Sequence, residues 1–114
     1  MRLILPLPPS ANAYWRAVRG RVLLSRAARE YREWCAVVAL RQWKSGPMDG
    51  PVRLHADVFM PNKRGDLMNR EKQLLDAIQG VVICNDSQVV DMRMVRHTDK
   101  DNPRVELTVE AAQP

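Results

Sequence analysis

At 114 residues, with 46% hydrophobic and 27% charged side chains, the chain has the length of one domain with a modest core and the composition of a soluble globular protein. Lys and Arg number 18 against 13 Asp and Glu, and the net charge of +5 favours a polyanionic partner, nucleic acid first; a basic surface that serves only solubility is the plain alternative. The apolar start before Pro6 is too short for a signal segment or a membrane span, which points to the cytoplasm and no membrane, and Cys35 and Cys84 fit no metal motif, so both are expected as buried free thiols.

Arg2–Leu5 reads as a short strand. Pro6 to Ser10 follows as an extended loop, because its prolines fix φ and remove donors. Asn12 braces that loop, and Tyr14 and Trp15 read as packing residues, with base stacking as the other use of their rings. Val18–Leu24 predicts a hairpin turned at Arg19-Gly20. Ser25 is the expected N-cap of a helix from Arg26 to about Lys44, with Ala27, Tyr31, Trp34, Cys35 and Val38 as its buried stripe. Ser45-Gly46-Pro47 stops it. Val52–Met60 alternates as a strand, with Val52, Leu54, Ala56 and Val58 on one face and Arg53, His55 and Asp57 on the other.

Pro61–Gly65 is a basic loop. A helix from about Asn69 to Gln79 packs Leu74, Leu75 and Ile78 inward and ends at Gly80. Val81–Cys84 is an apolar connection or short strand, and Asn85-Asp86-Ser87 is a turn. Gln88–Arg96 and Arg104–Glu110 are strands around a polar turn at residues 99–102, and Ala111–Pro114 is expected to fray. The fold class is α+β: a single small domain, residues 1–114, with one mixed β-sheet and two main helices packed on it.

The chemistry concentrates around the second helix. Asp66 and Asp86 lie just outside its two ends, and they meet only if the chain folds back along it. Lys72 is one turn inside. Carboxylates of this kind hold Mg²⁺ together with a substrate's own phosphate, and a nearby ammonium balances charge that develops there. On residue types alone, Asp66 is equally a helix-dipole acid, Asp86 a turn residue and Lys72 a solvated cation.

The run Leu5-Pro6-Leu7-Pro8-Pro9-Ser10-Ala11-Asn12-Ala13-Tyr14-Trp15 resembles the N-terminal signature of the RusA family of Holliday-junction resolvases. Leu24-Ser25 with Arg29-Glu30-Tyr31-Arg32 is similar too. So are Gly65-Asp66-Leu67 with Asn69, Lys72, Leu75-Asp76-Ala77 and Gly80, and then Asn85-Asp86-Ser87-Gln88-Val89-Val90-Asp91. The resemblance spans about residues 3–110. It implies a homodimeric, Mg²⁺-dependent endodeoxyribonuclease, with Mn²⁺ as a substitute. Such an enzyme binds branched DNA, the four-way junction, and nicks two strands symmetrically in recombination and repair. Many members are carried by phages or prophages.

By that resemblance Asp66 and Asp86 are catalytic, metal-holding acids and Lys72 is the essential lysine. Lys63, Arg64 and Arg70 are the expected DNA contacts. Asn12, Asn69 and Asp76 belong to the motifs, Asp76 equally as a structural acid. The family's aromatic wedge is not evident in the basic loop, though Phe59 lies just before it. One position departs: the family usually reads Gly-Asp-Leu-Asp-Asn, and here Met68 replaces its second acid. A thioether is no ligand for a hard cation. Three explanations stay open: an inactivated resolvase that still binds junctions, compensation by Glu71 or Asp91, or reduced activity on two acids. The rival function is therefore a branched-DNA-binding protein that does not cut. A third reading is a basic phosphate-binding domain without junction preference.

Overall fold

The computed structural model describes residues 1–9, 15–18, 21–65, 67 and 70–112, with backbone only for 15–18 and 21–24. Asn12, Asp66, Met68 and Asn69 lie outside the described residues, as does the turn expected at Arg19-Gly20.

The elements in chain order are β1 (Arg2–Leu5), β2 (Trp15–Val18), β3 (Arg21–Leu24), α1 (Arg26–Gln42), β4 (Val52–Met60), α2 (Glu71–Ile78), a 3-10 turn at Asp86–Gln88, β5 (Val89–Thr98) and β6 (Arg104–Ala111). β1, β6, β4 and β5 form a four-stranded sheet in that order. β1 and β4 each run antiparallel to β6, whereas β4 and β5 are parallel. A parallel pair needs a crossover, and α2 supplies it. β2 and β3 pair only with each other, so the hairpin stands apart from the mixed sheet instead of extending it.

The alternation in β4 holds. Val52, Leu54, Ala56, Val58 and Met60 are buried, while Arg53 is exposed and His55, Asp57 and Phe59 are half-buried on the other face. Leu3, Leu5, Val105, Leu107 and Val109 join the same core, which Leu74, Ile78, Val82 and Ile83 close from above.

Ser25 caps α1 as expected: its hydroxyl accepts from the Ala28 N–H at 3.1 Å. The helix ends at Gln42, two residues early, because Trp43 turns extended, buries its ring and donates Nε1–H to the Gly46 carbonyl at 2.7 Å. The buried stripe is Ala28, Tyr31, Cys35 and Ala39: Tyr31 and Cys35 are buried as expected, but Ala27 is exposed, Val38 half-buried and Trp34 60% exposed. Small side chains let the helix approach closely, and the large indole is left on the outside. Gln42 stitches α1 to β1 with two 2.7 Å bonds, accepting from Ile4 N–H and donating to Ile4 C=O. That closes the outer edge of β1.

α2 is shorter than expected, Glu71–Ile78, and buries Gln73 and Ala77 beside Leu74 and Ile78, with Leu75 half-buried. β6 continues through Ala111, and Ala112 is buried with its N–H on the Pro51 carbonyl, so the chain is still held where fraying was expected to begin. Both cysteines are free, but only Cys35 is buried; Cys84 is exposed. Burial pushes the Cys35 thiol up to about 11 against the lowering effect of its bond with Tyr31, which makes it unreactive.

Leu74→Ala, at a fully buried site, is expected to cost about 2–5 kcal/mol. Trp34→Ala is expected to change stability by no more than about 0.5 kcal/mol. Urea unfolding measures both: the Trp34 variant checks the shifted α1 stripe and the Leu74 variant the core beneath α2.

Candidate functional site

Asp86 is the first residue of the 3-10 turn that feeds β5, and its side chain is exposed. The turn is tightly built. Asn85 Oδ1 accepts from Ser87 N–H at 2.9 Å, and Gln88 Oε1 accepts from Cys84 N–H at 2.7 Å and from Asn85 N–H at 2.9 Å. The Gln88 amide then donates to the carbonyls of Met48 at 2.7 Å and Gly50 at 2.8 Å. Gln88 therefore clamps the Asp86 turn to the chain entering β4. Sequence reading overlooked this residue, although Asn85-x-x-Gln88 carries the spacing of a capping box.

The basic loop lies at the other end of β4. Lys63 and Arg64 are exposed there. Arg96 holds the loop from β5: Nη1–H donates to the Gly65 carbonyl at 2.8 Å, and Nη2–H to the carbonyls of Arg64 at 2.7 Å and Asn62 at 3.2 Å. Arg96 was not singled out from the sequence, because an Arg in an alternating strand carries no mark of such a role. Gly65 has φ +90, and a Cβ there would meet Met60 Cε and Arg70 Nη1 at 3.4 Å. Arg70, expected as a DNA contact, is 8% exposed and donates Nε–H to the Pro8 carbonyl at 3.2 Å. Its guanidinium lies at the Pro8 carbonyl and beside Gly65 and is not part of the exposed basic surface. Lys72 is exposed, with Nζ 3.6 Å from Asp76, and Glu71 opens α2.

These two ends are far apart within one chain. β4 and β5 run in register from Val52 beside Val89 to Met60 beside Thr98. At about 3.3 Å per residue, the nine residues of β4 span about 26 Å. Asp86 precedes the first end, whereas Gly65, Arg70 and Lys72 follow the second. The chain does fold back along α2, but the residue it returns to Gly65 is Arg96, not Asp86.

Asp91 is elsewhere again, on the helix-free face of the sheet. It pairs with Arg93 at 3.7 Å, and with Arg53, His55, Thr108 and Glu110 it lines an open groove of about 460 Å³. On that face Asp57 Oδ1 also bonds His97 Nε2 at 2.8 Å and His55 Nε2 at 3.2 Å. His97 stacks on Phe59 with centroids 4.5 Å apart, and the Arg104 guanidinium covers the Phe59 ring at 3.9 Å. Phe59 is thus engaged with the sheet. Burial raises the Asp57 pKa, but the hydrogen bonds and charges of His97 and His55 together outweigh it, and the net shift is downward. Among the described residues no three His, Cys, Asp or Glu side chains stand together as a metal site.

The sequence pattern of the family described as endodeoxyribonuclease RusA matches residues 6–110. The chain is 34% identical over 109 residues to the crossover junction endodeoxyribonuclease RusA of Escherichia coli (strain K12), covering 94% of this chain and 91% of that protein. The enzyme of the same name in Enterobacteria phage 82 is also 34% identical over the same shares, and that of Shigella sonnei (strain Ss046) is 33% identical. The resemblance read from the motifs is borne out.

Arg96→Ala is expected to free the loop at residues 62–65 and speed tryptic cleavage after Lys63 and Arg64 several-fold, with unchanged far-ultraviolet circular dichroism. Limited proteolysis measures this. A lowered Asp57 pKa means the carboxylate stabilises the fold above its ordinary pKa of about 3.8 and loses that effect as pH falls through its folded value. Asp57→Asn should therefore be less stable than the parent at pH 5 to 7. The gap should close as unfolding is followed below about pH 4.

Proposed function

The chain belongs to the RusA family of endodeoxyribonucleases, and from that membership we propose that it resolves Holliday junctions. In this reading a homodimer binds a four-way DNA junction and, with Mg²⁺ or Mn²⁺, nicks two opposed strands symmetrically in recombination and repair. The carrying observation is the match over residues 6–110, nearly the whole chain. A phage relative is consistent with a phage or prophage source. No helix among the described residues is long and apolar enough to cross a membrane, and an enzyme acting on DNA belongs in the cytoplasm.

In each cut a water oxygen bonds to phosphorus, the bond from phosphorus to one sugar oxygen breaks, and the departing oxygen takes a proton. A divalent ion, when bound, supplies positive charge and a more acidic water. The described side chains of one chain do not make up its donor set. Asp66, Asp86 and Lys72 are the residues to which the chemistry is assigned. Lys72 is exposed and stands 3.6 Å from the half-buried Asp76, a loose contact from which its ammonium can turn to a phosphate. Lys63 and Arg64 neutralise backbone phosphates, and Arg96 keeps their loop in shape.

The second reading, a branched-DNA-binding protein that does not cut, is favoured by Met68 in Gly65-Asp66-Leu67-Met68-Asn69. A labelled four-way junction in Mg²⁺ separates the two. Met68→Asp is expected to make paired symmetric nicks at least about tenfold faster than the parent, equivalent to 1.36 kcal/mol of barrier. Chelation by EDTA should stop cleavage, and Asp86→Asn should abolish it while junction binding in Ca²⁺ persists. Binding without nicks in both proteins would leave the non-cutting reading, and equal competition by linear duplex would sink both.

A further inference from the structure

α1 turns an apolar strip outward, on the side of the helix opposite its buried stripe. Trp34, Val37 and Leu40 are 60%, 48% and 53% exposed and follow one another at helical spacing, so they are neighbours on the helix surface. Apolar groups left together in water in this way mark an interaction surface. Exposed charges frame the strip: Glu30 and Glu33 at its start, Arg41 and Lys44 at its end. Glu30 pairs with Arg26 at 2.8 Å, whereas neither Glu33 nor Arg41 has an ion-pair partner among the described residues.

The chemistry of the strip is mirrored about Val37. Equal steps outward from it meet Trp34 and Leu40, then Glu33 and Arg41, then Glu30 and Lys44. Apolar mirrors apolar, and each acid mirrors a base. A face of that kind is complementary to its own reversed copy. In an antiparallel pair of α1 helices with the twofold axis at Val37, Trp34 packs against the partner's Leu40 and Glu33 meets the partner's Arg41. The axis repeats both contacts on its other side. A foreign partner requires no such mirror, and a single stretch of DNA would find two acids among the bases.

We propose that this face binds α1 of a second copy, antiparallel, as a contact between homodimers and not within one. Its size sets its strength. The few side chains named fall well short of the roughly 20–30 residues a side of a standard interface. The contact is therefore a weak, concentration-dependent link that adds to a homodimer without replacing its interface. Copies held close together on one DNA molecule gain the local concentration that favours it. None of the residues assigned to the reaction lies on α1, so the link leaves the nuclease chemistry untouched.

Val37→Cys in a Cys84→Ser background places a thiol on the axis, while Cys35 stays buried. Packed helices lie about 8–10 Å apart with Cα atoms about 2.3 Å from each axis, so facing Cα atoms come within disulfide reach. Mild oxidation should give a disulfide between the two introduced thiols, formed faster as protein concentration rises. Arg32→Cys in the same background, exposed but off this face, should cross-link several-fold more slowly. Sedimentation velocity of the parent at rising concentration should show a species of twice the mass of the light one. Glu33→Arg alone or Arg41→Glu alone should abolish that species, and the two together should restore it. Equal cross-linking at positions 37 and 32, or a double variant that fails to recover, would overturn the proposal. So would a light species at every concentration, with or without junction DNA, which would leave the strip to a foreign partner. The mass of the light species reads the homodimer separately. If it is a monomer, the homodimer reading falls, and the link between positions 37 still carries the α1 contact.

Discussion

The parallel pairing of β4 with β5 is the constraint on which the rest depends. Two parallel strands cannot be joined by a turn, so α2 carries the chain back over the sheet before β5 begins. Whatever follows β4 is then at one end of the pair, and whatever precedes β5 is at the other. The loop at residues 61–65 and Lys72 fall on one side of that division, Asp86 on the other. The same crossover lays α2 over one face only, leaving the opposite face open for the Asp57, His55 and His97 cluster and for Asp91.

Two kinds of bond hold these positions, and their magnitudes separate the fixed groups from the movable ones. Gln88 and Arg96 bond to backbone, each such bond contributing about 0.5–1.5 kcal/mol net, and each side chain makes several at once. Losing Gln88 leaves backbone groups of two segments to find water, and losing Arg96 those of the loop at residues 62–65. Lys72, by contrast, is exposed, and its contact with the half-buried Asp76 is a loose one at 3.6 Å. The turn that presents Asp86 and the loop that presents Lys63 and Arg64 are therefore scaffold, whereas the Lys72 ammonium is held much more loosely.

Much of the architecture was legible in the sequence because it obeys a period. β4 and β6 alternate, Ser25 caps α1, and the crossover helix shows its apolar face. Part of the α1 stripe was misplaced because bulk was taken for burial: Trp34 and Val38 are larger than Ala28 and Ala39, yet close packing selects the small side chains. Gln42, Gln88 and Arg96 were illegible for another reason. Each acts on carbonyls and amides that any sequence supplies, so only the folded chain shows which backbone they meet. The separation of Asp86 from Lys72 depends on strand parity, and no local pattern encodes whether two strands run parallel. The family motifs were readable without any of this, since they are recognised by order along the chain.

Met68 separates two properties that usually travel together. Binding a junction depends on net positive charge and on phosphate contacts from Lys63, Arg64 and their neighbours. Cutting depends in addition on oxygen ligands for a hard cation. In the resolvase reading, a thioether in place of a carboxylate removes one negative charge from a surface that is to meet phosphate, which favours grip on DNA while it diminishes the ligand set.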